Sequence, residues 1–505
     1  MKTPASDSAA APAASVPRAL ARCIMVLGTS SGAGKSWLAT ALCRYYARQG
    51  LRVAPFKAQN MSNNARVVAG GEIGAAQYFQ AVAARAEPDV RMNPLLLKPE
   101  RDTHSQVVLL GQVNTELTQL PWRGRSARVW PQIVAALDAL RAEVDLVVIE
   151  GAGSPAEINL HDSDIVNMRV AQHTQAACLL VTDIDRGGAF AHLYGTWALL
   201  PPEERVWFRG FVLNRFRGDA SLLAPAPQML QDLTGVPTVA TLPMWREHGL
   251  PEEDGVFDDR STQPGAVTLT VAVVAYPRIS NLDEFQALKN LPGVRLVWAR
   301  SPAALAGADW VILPGSKHTS SDLLWLRAQG LDAAVAEHAA RGGRVLGICG
   351  GLQMLGEALI DAHGIDGNAP GLGLLPLVTA FAPDKTVRRS RGCFSGVAAP
   401  WQALQSVLLD GYEIHHGLTA QHAGLAAKGE NARAVLTHSD SGAVLGWQSP
   451  AGNVLGLYIH GMFECPAVLH ALFGQSVPTL DSVMDGLADF AERHFAPGVL
   501  QALLD

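Results

Sequence analysis

Short apolar runs alternate with longer stretches of helical periodicity along most of the chain. In the first half these runs cover residues 23–27, 51–56, 145–149, 178–182 and 210–213. Apolar runs of this length, bounded by glycine or polar residues, are typical of buried strands in a parallel sheet with helical crossover connections. The pattern predicts an α/β fold, and each predicted strand ends beside a loop of the kind that binds ligands in such folds.

A second series of apolar runs begins after a change in composition at residues 245–264, where Glu, Asp, Pro and Gly are frequent. These runs cover residues 269–275, 294–298, 309–313, 344–348, 444–447 and 455–459. Such a composition change indicates a linker, so we expect two α/β domains, each a mostly parallel sheet flanked by helices. The predicted segments are a disordered tail at 1–22, a first domain at 23–244, a linker at 245–266, a second domain at 267–480 and a C-terminal helical segment at 481–505.

Charge and cysteine content exclude several classes of function. The 505 residues carry a formal net charge of -6, which gives no general affinity for polyanions. The longest basic run, at residues 387–391, is expected to be a solvated loop, so we expect no nucleic acid partner. No apolar run approaches membrane-spanning length. The six cysteines lack C-x-x-C spacing, which argues against a zinc site or disulfide framework and favours a reduced, cytoplasmic protein. The sequence does not specify an oligomeric state.

A glycine-rich loop follows the first predicted strand and precedes a predicted helix at residues 37–48. The loop ends in Gly-Lys-Ser, a pattern in which backbone N–H groups and a helix N-terminus face phosphate groups. Lys35 is expected to reach the terminal phosphates, and the Ser36 hydroxyl to coordinate Mg²⁺. The loop departs from strict P-loop spacing, because Thr29 stands where the first glycine belongs. The predicted ATP-binding residues are Thr29, Ser31, Gly32, Ala33, Gly34, Lys35, Ser36 and Lys57.

Acidic residues end two of the predicted strands in the same domain. Glu150 follows the strand at 145–149, while Asp183 and Asp185 follow the strand at 178–182. A carboxylate at a strand end beside a P-loop is suited to bind Mg²⁺ directly or through water. We assign Ser36, Glu150 and Asp183 as metal-binding residues, although the sequence does not choose between Asp183 and Asp185. Lys57, just past another strand, is expected to add positive charge near a transferred phosphoryl group.

Cys349 lies between a predicted strand and a predicted helix at residues 354–359, in the run Gly-Ile-Cys-Gly-Gly. Flanking glycines permit a sharp turn that exposes the sulfur, as in nucleophile turns, and a helix N-terminus favours thiolate. His460, at the end of a late apolar strand, is the predicted base. Backbone N–H groups near Gly315 and Gly350 are the predicted oxyanion donors, and Gln353 belongs to the same site.

Two adjacent histidines, His415 and His416, lie on another predicted strand. Neighbouring strand residues point to opposite faces, so this pair is a poor joint metal site. We expect His416 to pack beside the site in a structural role. His415 stays an open candidate for assistance in the cleft.

These motifs resemble known families. Cys349-Gly350-Gly351 with Gln353 and the distant His460 resembles class I glutamine amidotransferase domains, in which the cysteine releases ammonia from glutamine. The first half resembles dethiobiotin-synthetase-like P-loop ligases. Together with motifs beginning at Phe56, Glu150, Asp183, Pro277 and Tyr412, the chain resembles the cobyric acid synthase family from about residue 23 to 463.

This resemblance implies ATP- and glutamine-dependent amidation of the b, d, e and g carboxylates of adenosylcobyrinic acid a,c-diamide, through acyl phosphates, in cobalamin biosynthesis. It implies ATP and Mg²⁺ as cofactors, no tightly bound organic cofactor, and glutamine and a corrinoid as small-molecule partners. The corrinoid-binding candidates, by resemblance alone, are Glu157, Asn159, Asp164 and Asn167.

Two alternatives stay open. One is the a,c-diamide synthase of the same pathway, which carries a Gly-Pro-Asp-Tyr run where this chain has residues 58–61 as Ala-Gln-Asn-Met. The other is a partitioning or scaffolding P-loop ATPase with an inactive amidotransferase-like domain. That class has an early loop lysine where this chain has Ser30, and it leaves Cys349 and His460 without a role.

One departure from the amidotransferase pattern carries a prediction of its own. Many class I enzymes have Glu two residues after the histidine, whereas this chain has Met462. Losing the orienting acid of a catalytic triad costs about 10⁴ in rate in a serine protease. The sequence therefore predicts weak glutaminase activity until the synthetase site is occupied.

Overall fold

The computed structural model describes residues 20–101, 103–251, 266–475 and 478–505. Most of the predicted tail and the middle of the predicted linker, residues 252–265, lie outside the described residues. At the start of the described chain, Ala21 is already buried and Arg22 begins the first strand. None of the helices in these ranges is both long and apolar enough to cross a membrane.

The first domain is built around a six-stranded sheet, and helices pack in an apolar cluster on each of its faces. Its strands are β1 Arg22–Gly28, β2 Val53–Phe56, β3 Gln59–Met61, β4 Ala65–Val68, β5 Gly71–Gly74, β6 Leu95–Arg101, β7 His104–Leu109, β8 Gln112–Val113, β9 Leu146–Glu150, β10 Ala177–Asp183, β11 Phe208–Phe216 and β12 Thr238–Pro243. Its helices are α1 Lys35–Arg48, α2 Ala75–Ala83, α3 Thr115–Gln119, α4 Trp122–Glu143, α5 Met168–Thr174, α6 Ala189–Leu199, α7 Pro202–Arg205 and α8 Ala226–Thr234.

The sheet order β12-β11-β10-β1-β9-β2 places β1 between β10 and β9, and all of these pairs are parallel. Strands covered on both faces must be apolar along their whole length, which explains the continuous apolar runs of the sequence. Because the carboxyl ends of parallel strands meet at one edge, the loops after β1, β9 and β10 converge there. The predicted phosphate-binding loop follows β1, and the predicted acidic motifs lie where β9 and β10 end.

The second domain contains an eleven-stranded mixed sheet. The strands of this domain are β13 Leu269–Val274, β14 Ile279–Ser280, β15 Val294–Ala299, β16 Trp310–Leu313, β17 Gly315–Ser316, β18 Arg344–Ile348, β19 Ala358–Ile360, β20 Ala369–Pro370, β21 Leu377–Phe394, β22 Leu408–Gln421, β23 Arg433–His438, β24 Val444–Gln448 and β25 Val454–Leu457. The helices that follow β13 are α9 Gln286–Lys289, α10 Pro302–Leu305, α11 Thr319–Ala328, α12 Leu331–Ala340, α13 Gly350–Leu355, α14 Ala423–Ala426, α15 Pro466–Phe473, α16 Leu480–His494 and α17 Val499–Ala502.

Strands β15, β13, β16, β18 and β25 form the parallel half of this sheet, as predicted. The antiparallel half contains the long hairpin of β21 and β22, and here two local predictions are wrong. Residues 387–391 belong to β21 and are not a loop, because their side chains pair across the hairpin with β22. The helix after Cys349 ends at Leu355, since Gly356 is extended and residues 358–360 form β19.

The C-terminal helix α16 packs against the first domain, although it follows the second in sequence. Arg44 of α1 is buried and forms ion pairs with Asp481 and Asp485 of α16. Met484 and Leu487 complete the apolar cluster on the α1 face of the first sheet. The first domain is therefore completed by residues that lie after the second.

Candidate active site

Cys349 occupies the sharp turn between β18 and α13, with φ 52° and ψ -106°. A positive φ at a residue with a Cβ is unfavourable and is characteristic of functional turns. The backbone N–H of Cys349 donates to the Leu457 carbonyl at 2.7 Å, which fixes the turn to β25. Glycine is required at position 351, since a Cβ there would lie 1.9 Å from the Leu313 carbonyl oxygen. The predicted nucleophile turn is present in the structure.

His460 follows β25 and is buried beside Cys349. Its Nδ1 lies 3.1 Å from Oε1 of Glu284, whose other oxygen accepts a hydrogen bond from the Gly461 N–H at 3.1 Å. Burial acts to lower the pKa of His460, but the Glu284 carboxylate, followed by the charge and hydrogen bond of Cys349, raises this pKa to about 10. The geometry favours an imidazolium with Nδ1–H oriented by a carboxylate.

Glu284 supplies the acid that the sequence around Met462 lacks. It lies in the short 3-10 turn Leu282–Phe285 and its side chain is fully buried. The premise of a missing orienting acid was therefore wrong, and the weak glutaminase inferred from it loses its basis. The carboxylate reaches the histidine from a distant loop, while Met462 packs in the apolar core with Phe463.

The predicted oxyanion and glutamine residues lie near Cys349 or His460, and the Gln353 N–H donates to the Cys349 carbonyl at 3.1 Å. A Cβ on Gly315 would lie 2.9 Å from Cε1 of His460, so the backbone passes directly beside the base. Gly350 is the first residue of α13, where the backbone N–H has no partner within the helix. Gln353 is buried, and its Oε1 accepts a hydrogen bond from Thr319 at 3.1 Å. Their roles toward glutamine stay predictions.

The ring of His415 is held by its own neighbours. Nδ1 lies 3.0 Å from the Gly417 carbonyl, Nε2 lies 3.0 Å from Glu413, and the ring stacks on Tyr458. Both ring nitrogens of His415 thus have partners on its own strand, β22. His416 Nδ1 lies 3.1 Å from the Ala382 carbonyl, which agrees with the structural role expected for it.

The glycine-rich loop connects β1 to α1 in the first domain. Gly32 and Gly34 have φ of 72° and 104°, a conformation that favours glycine and explains their positions. Lys35 Nζ donates to the Ser30 carbonyl at 2.8 Å and to the Gly153 carbonyl at 3.1 Å. The Thr29 hydroxyl donates to Thr182 at 3.0 Å, so the loop begins directly beside the end of β10.

Glu150 is buried at the end of β9 and accepts hydrogen bonds from three separate segments of the first domain. Its Oε1 accepts hydrogen bonds from Ser36 and Lys57, each at 2.8 Å, and its Oε2 accepts one from Gln80 at 2.5 Å. Burial acts to raise the pKa of Glu150, but Lys57 and the hydrogen bonds outweigh it and lower that pKa. Gln80 of α2 was not predicted, because a buried glutamine carries no motif.

The adjacent Ser36 hydroxyl and Glu150 carboxylate fit Mg²⁺ by the chemistry of their donors. This ion prefers oxygen ligands and is usually held by one or two protein groups together with substrate phosphates. The described parts of the chain contain no cluster of three or more His, Cys, Asp or Glu side chains that could hold a metal ion. Asp183 is buried and its Oδ2 lies 2.9 Å from Arg215, while Asp185 pairs with Arg217. Both aspartates thus have cationic partners.

The four corrinoid candidates divide into two groups. Glu157 and Asn159 are exposed in the loop after β9. The carboxylate of Asp164 accepts hydrogen bonds from the backbone of residues 166, 167 and 169. The amide of Asn167 bonds both the N–H and the carbonyl of Ala152. Asp164 and Asn167 therefore hold the loop in place, since their side-chain polar atoms form hydrogen bonds with its backbone.

Comparison with protein families agrees with this two-part architecture. Residues 24–251 match the CobQ/CobB/MinD/ParA nucleotide binding domain, and residues 270–468 match the CobB/CobQ-like glutamine amidotransferase domain. Fold and site thus define an enzyme that joins a nucleotide-binding domain to a glutamine amidotransferase domain.

The relatives narrow this class. The cobyric acid synthase of Variovorax paradoxus is 74% identical over 483 residues, covering 96% of this chain and 99% of the relative. Those of Acidovorax ebreus and Leptothrix cholodnii are 73% and 65% identical, covering 96% of this chain and 99% and 98% of the relatives. The chain belongs to the cobyric acid synthase family. It is an ATP-dependent, glutamine-hydrolysing amide ligase of cobalamin biosynthesis.

Proposed function

We propose that the chain amidates the b, d, e and g carboxylates of adenosylcobyrinic acid a,c-diamide, giving adenosylcobyric acid. The observation that supports this most strongly is the presence in one chain of two complementary sites. Cys349, His460 and Glu284 are arranged for ammonia release from an amide. Ser36, Lys57 and Glu150 are arranged beside a phosphate-binding loop.

In the amidotransferase domain, the Cys349 thiolate attacks the side-chain amide carbon of glutamine. The oxyanion that forms is stabilised by backbone N–H groups near Gly315 and Gly350. His460 donates its Nε2 proton to the departing nitrogen, and ammonia leaves as the C–N bond breaks. Water, deprotonated by the now neutral His460, then hydrolyses the thioester to glutamate. Glu284 keeps the Nδ1 proton in place throughout.

In the nucleotide-binding domain, a corrinoid carboxylate oxygen attacks the γ-phosphorus of ATP, and ADP leaves. A carboxylate is a poor electrophile, whereas the resulting acyl phosphate has a good leaving group. Lys35 donates to two backbone carbonyls of the surrounding loops in this structure. When ATP binds, its ammonium group exchanges these partners for the terminal phosphates. Mg²⁺, held by Ser36 and Glu150, would neutralise phosphate charge during transfer. Ammonia then attacks the acyl carbon, phosphate leaves and the amide forms.

Delivery between the two sites keeps the nitrogen reactive, since free ammonia is mostly protonated near neutral pH. A nucleophile supplied from a neighbouring site avoids both dilution and protonation. For the corrinoid we retain Glu157 and Asn159, which are exposed in the loop that follows Glu150. Asp164 and Asn167 are assigned to holding that loop.

The experiment that tests this proposal counts the nitrogen atoms transferred. Adenosylcobyrinic acid a,c-diamide is incubated with the protein, ATP and glutamine labelled with nitrogen-15 in its side-chain amide, and the product is analysed by mass spectrometry. We expect four labelled nitrogens in the final product. A parallel incubation uses cobyrinic acid in place of the a,c-diamide. Two labelled nitrogens in the product from cobyrinic acid, with no labelled product from the a,c-diamide, would identify an a,c-diamide synthase. ATP hydrolysis without amidation would support an ATPase of the partitioning class.

A further inference from the structure

The segment that bears Glu284 is held by residues of the other domain. Asn281 Nδ2 donates to the Ala65 carbonyl at 2.8 Å, and the Leu282 N–H donates to Oδ1 of Asn64 at 3.0 Å. Residue 281 itself has φ 57°, a conformation unusual for a residue with a Cβ. The acid of the amidotransferase site therefore depends on contacts with the nucleotide-binding domain for its position.

Arg66 adds a buried charge to these contacts. Its guanidinium pairs with Asp283, the residue before Glu284, and its Nη1 lies 2.7 Å from Oε2 of Glu464. The side chain of Arg66 is 3% exposed and that of Asp283 is 1% exposed, so water screens this interaction little. Burial acts to lower the pKa of Arg66, but the two carboxylates outweigh it and hold this pKa well above its usual value.

The same guanidinium also lies over an aromatic ring that packs on His460. Its central carbon lies 5.1 Å from the ring centroid of Tyr412, and that ring stacks on His460 with centroids 5.3 Å apart and an interplanar angle of 18°. The Asn281 amide also donates to the Tyr412 hydroxyl at 2.8 Å. Arg66 thus contacts the chain neighbour of Glu284 and the ring that packs on His460.

This contact region is continuous in sequence with the ATP site. The segment that ends at Arg66 starts at Lys57, whose Nζ bonds Glu150. Between them, the strand β3 runs beside β6 and Asn60 bonds Gln77 of α2. One short, mostly buried segment of the first domain therefore contacts Glu150, the candidate Mg²⁺-binding carboxylate, at one end and the segment that bears Glu284 at the other.

We propose that Arg66 and Asn64 are positioning residues for glutamine hydrolysis, through which the nucleotide-binding domain holds Glu284 against His460. This inference rests on the proposed function, because it assumes that Cys349 and His460 hydrolyse glutamine. Without Arg66, the carboxylates of Asp283 and Glu464 face each other beside Glu284 with no cation between them. Their repulsion displaces the acid segment, and His460 loses its orienting partner.

Such a loss affects the rate of the chemical step more than glutamine binding, because neither residue is part of the predicted glutamine site. A misplacement of about 1 Å in a catalytic group costs on the order of 10²-fold in rate. We therefore expect Arg66→Ala to lower kcat for glutamine hydrolysis by about 10²-fold, with KM for glutamine changed much less. Asn64→Ala, which removes one neutral hydrogen bond, has a smaller effect in the same direction.

The test compares five purified full-length variants with the parent chain: Arg66→Ala, Arg66→Lys, Asn64→Ala, the double variant Arg66→Ala/Asp283→Asn and the control Arg389→Ala. Arg389 also pairs across the domains, with Glu87 at 3.1 Å, but both side chains are exposed and lie outside the catalytic groups described above. Glutamine hydrolysis, glutamine-driven amidation, ammonia-driven amidation and thermal unfolding are measured for each variant.

The proposal is supported if Arg66→Ala loses glutamine-driven activity, keeps ammonia-driven amidation and is partly rescued both by lysine and by the added Asp283→Asn change. The double variant keeps the test decisive if Arg66→Ala unfolds, since it removes the unbalanced charge. Unchanged kcat in Arg66→Ala, or an equal loss in Arg389→Ala, overturns the proposal. Absence of Cys349-dependent glutamine hydrolysis in the parent chain would instead show that the proposed function itself is wrong.

Discussion

Glu284 and His460 are 176 positions apart in sequence, yet Oε1 of the first lies 3.1 Å from Nδ1 of the second. Both side chains are buried, and the second carboxylate oxygen is occupied by the Gly461 N–H. A buried carboxylate with both oxygens hydrogen-bonded is firmly oriented. The pair therefore fixes the histidine ring beside Cys349, and in the proposed function it completes a triad whose members come from three separate segments.

Replacing Glu284 with Gln tests this relationship. Glutamine retains the shape of the side chain but removes the charge that stabilises the imidazolium. We expect kcat for glutamine hydrolysis to fall by up to about 10⁴-fold, as when the orienting acid of a serine protease is neutralised. Ammonia-driven amidation, measured in parallel, should be retained, because the other domain is intact. Full glutaminase activity in Glu284→Gln would show that the acid has no catalytic role.

The pH dependence of the same reaction gives a second prediction. The pKa of His460 is raised to about 10 in the folded protein, with Glu284 as the largest raising influence. Activity that needs the imidazolium is present below this pKa and lost as pH rises through it. Removing the carboxylate lowers the pKa, so the alkaline limb of the kcat profile moves to lower pH in Glu284→Gln. A limb at the same pH in both proteins would assign it to another group.

Glu150→Gln should affect the other domain. The carboxylate accepts hydrogen bonds from Ser36, Lys57 and Gln80, and it is the candidate protein carboxylate for Mg²⁺. We expect glutamine-driven and ammonia-driven amidation to fall together, because acyl phosphate formation precedes both. An assay of ADP release with the corrinoid present measures this step directly. Normal ADP release in the variant would remove Glu150 from the phosphoryl-transfer site.

The C-terminal helix is predicted to stabilise the first domain. Leu487 of α16 is fully buried in the apolar cluster that includes α1. Leu487→Ala should lower the free energy of unfolding by about 2–5 kcal/mol, since it removes buried methyl groups and leaves a cavity. Leu324→Ala is the matched control, because Leu324 is 61% exposed on α11. Equal effects of the two substitutions in denaturant unfolding would contradict the packing of α16 on this domain.

The features that the sequence predicts correctly share one physical property: each is determined by residues that lie close together in the chain. The turn at Cys349, the loop at Lys35 and the apolar strands each depend on residues close in sequence. Glu284 could not be recognised in this way, because its role depends on a distant histidine. The motif at residues 277–281 carries part of the family resemblance, but the amidotransferase pattern places the expected acid at position 462 and gives no signal for Glu284.

Other differences have the same origin. The return of α16 to α1 depends on ion pairs between the buried Arg44 and two more exposed aspartates and on apolar packing, neither of which has a sequence period. The strand at residues 387–391 is not evident from the sequence, because arginines reduce apparent strand propensity when their cross-strand partners are unknown.

Cys349→Ala, assayed with glutamine and then with an ammonium salt, tests the central claim most directly. If Cys349 only releases ammonia for the other domain, glutamine-driven amidation disappears while ammonia-driven amidation continues at the rate of the parent chain. Both reactions are followed by the mass of the corrinoid product, with thermal unfolding as the control for folding. Loss of ammonia-driven amidation in a folded variant would contradict this division of labour, and so would survival of the glutamine-driven reaction.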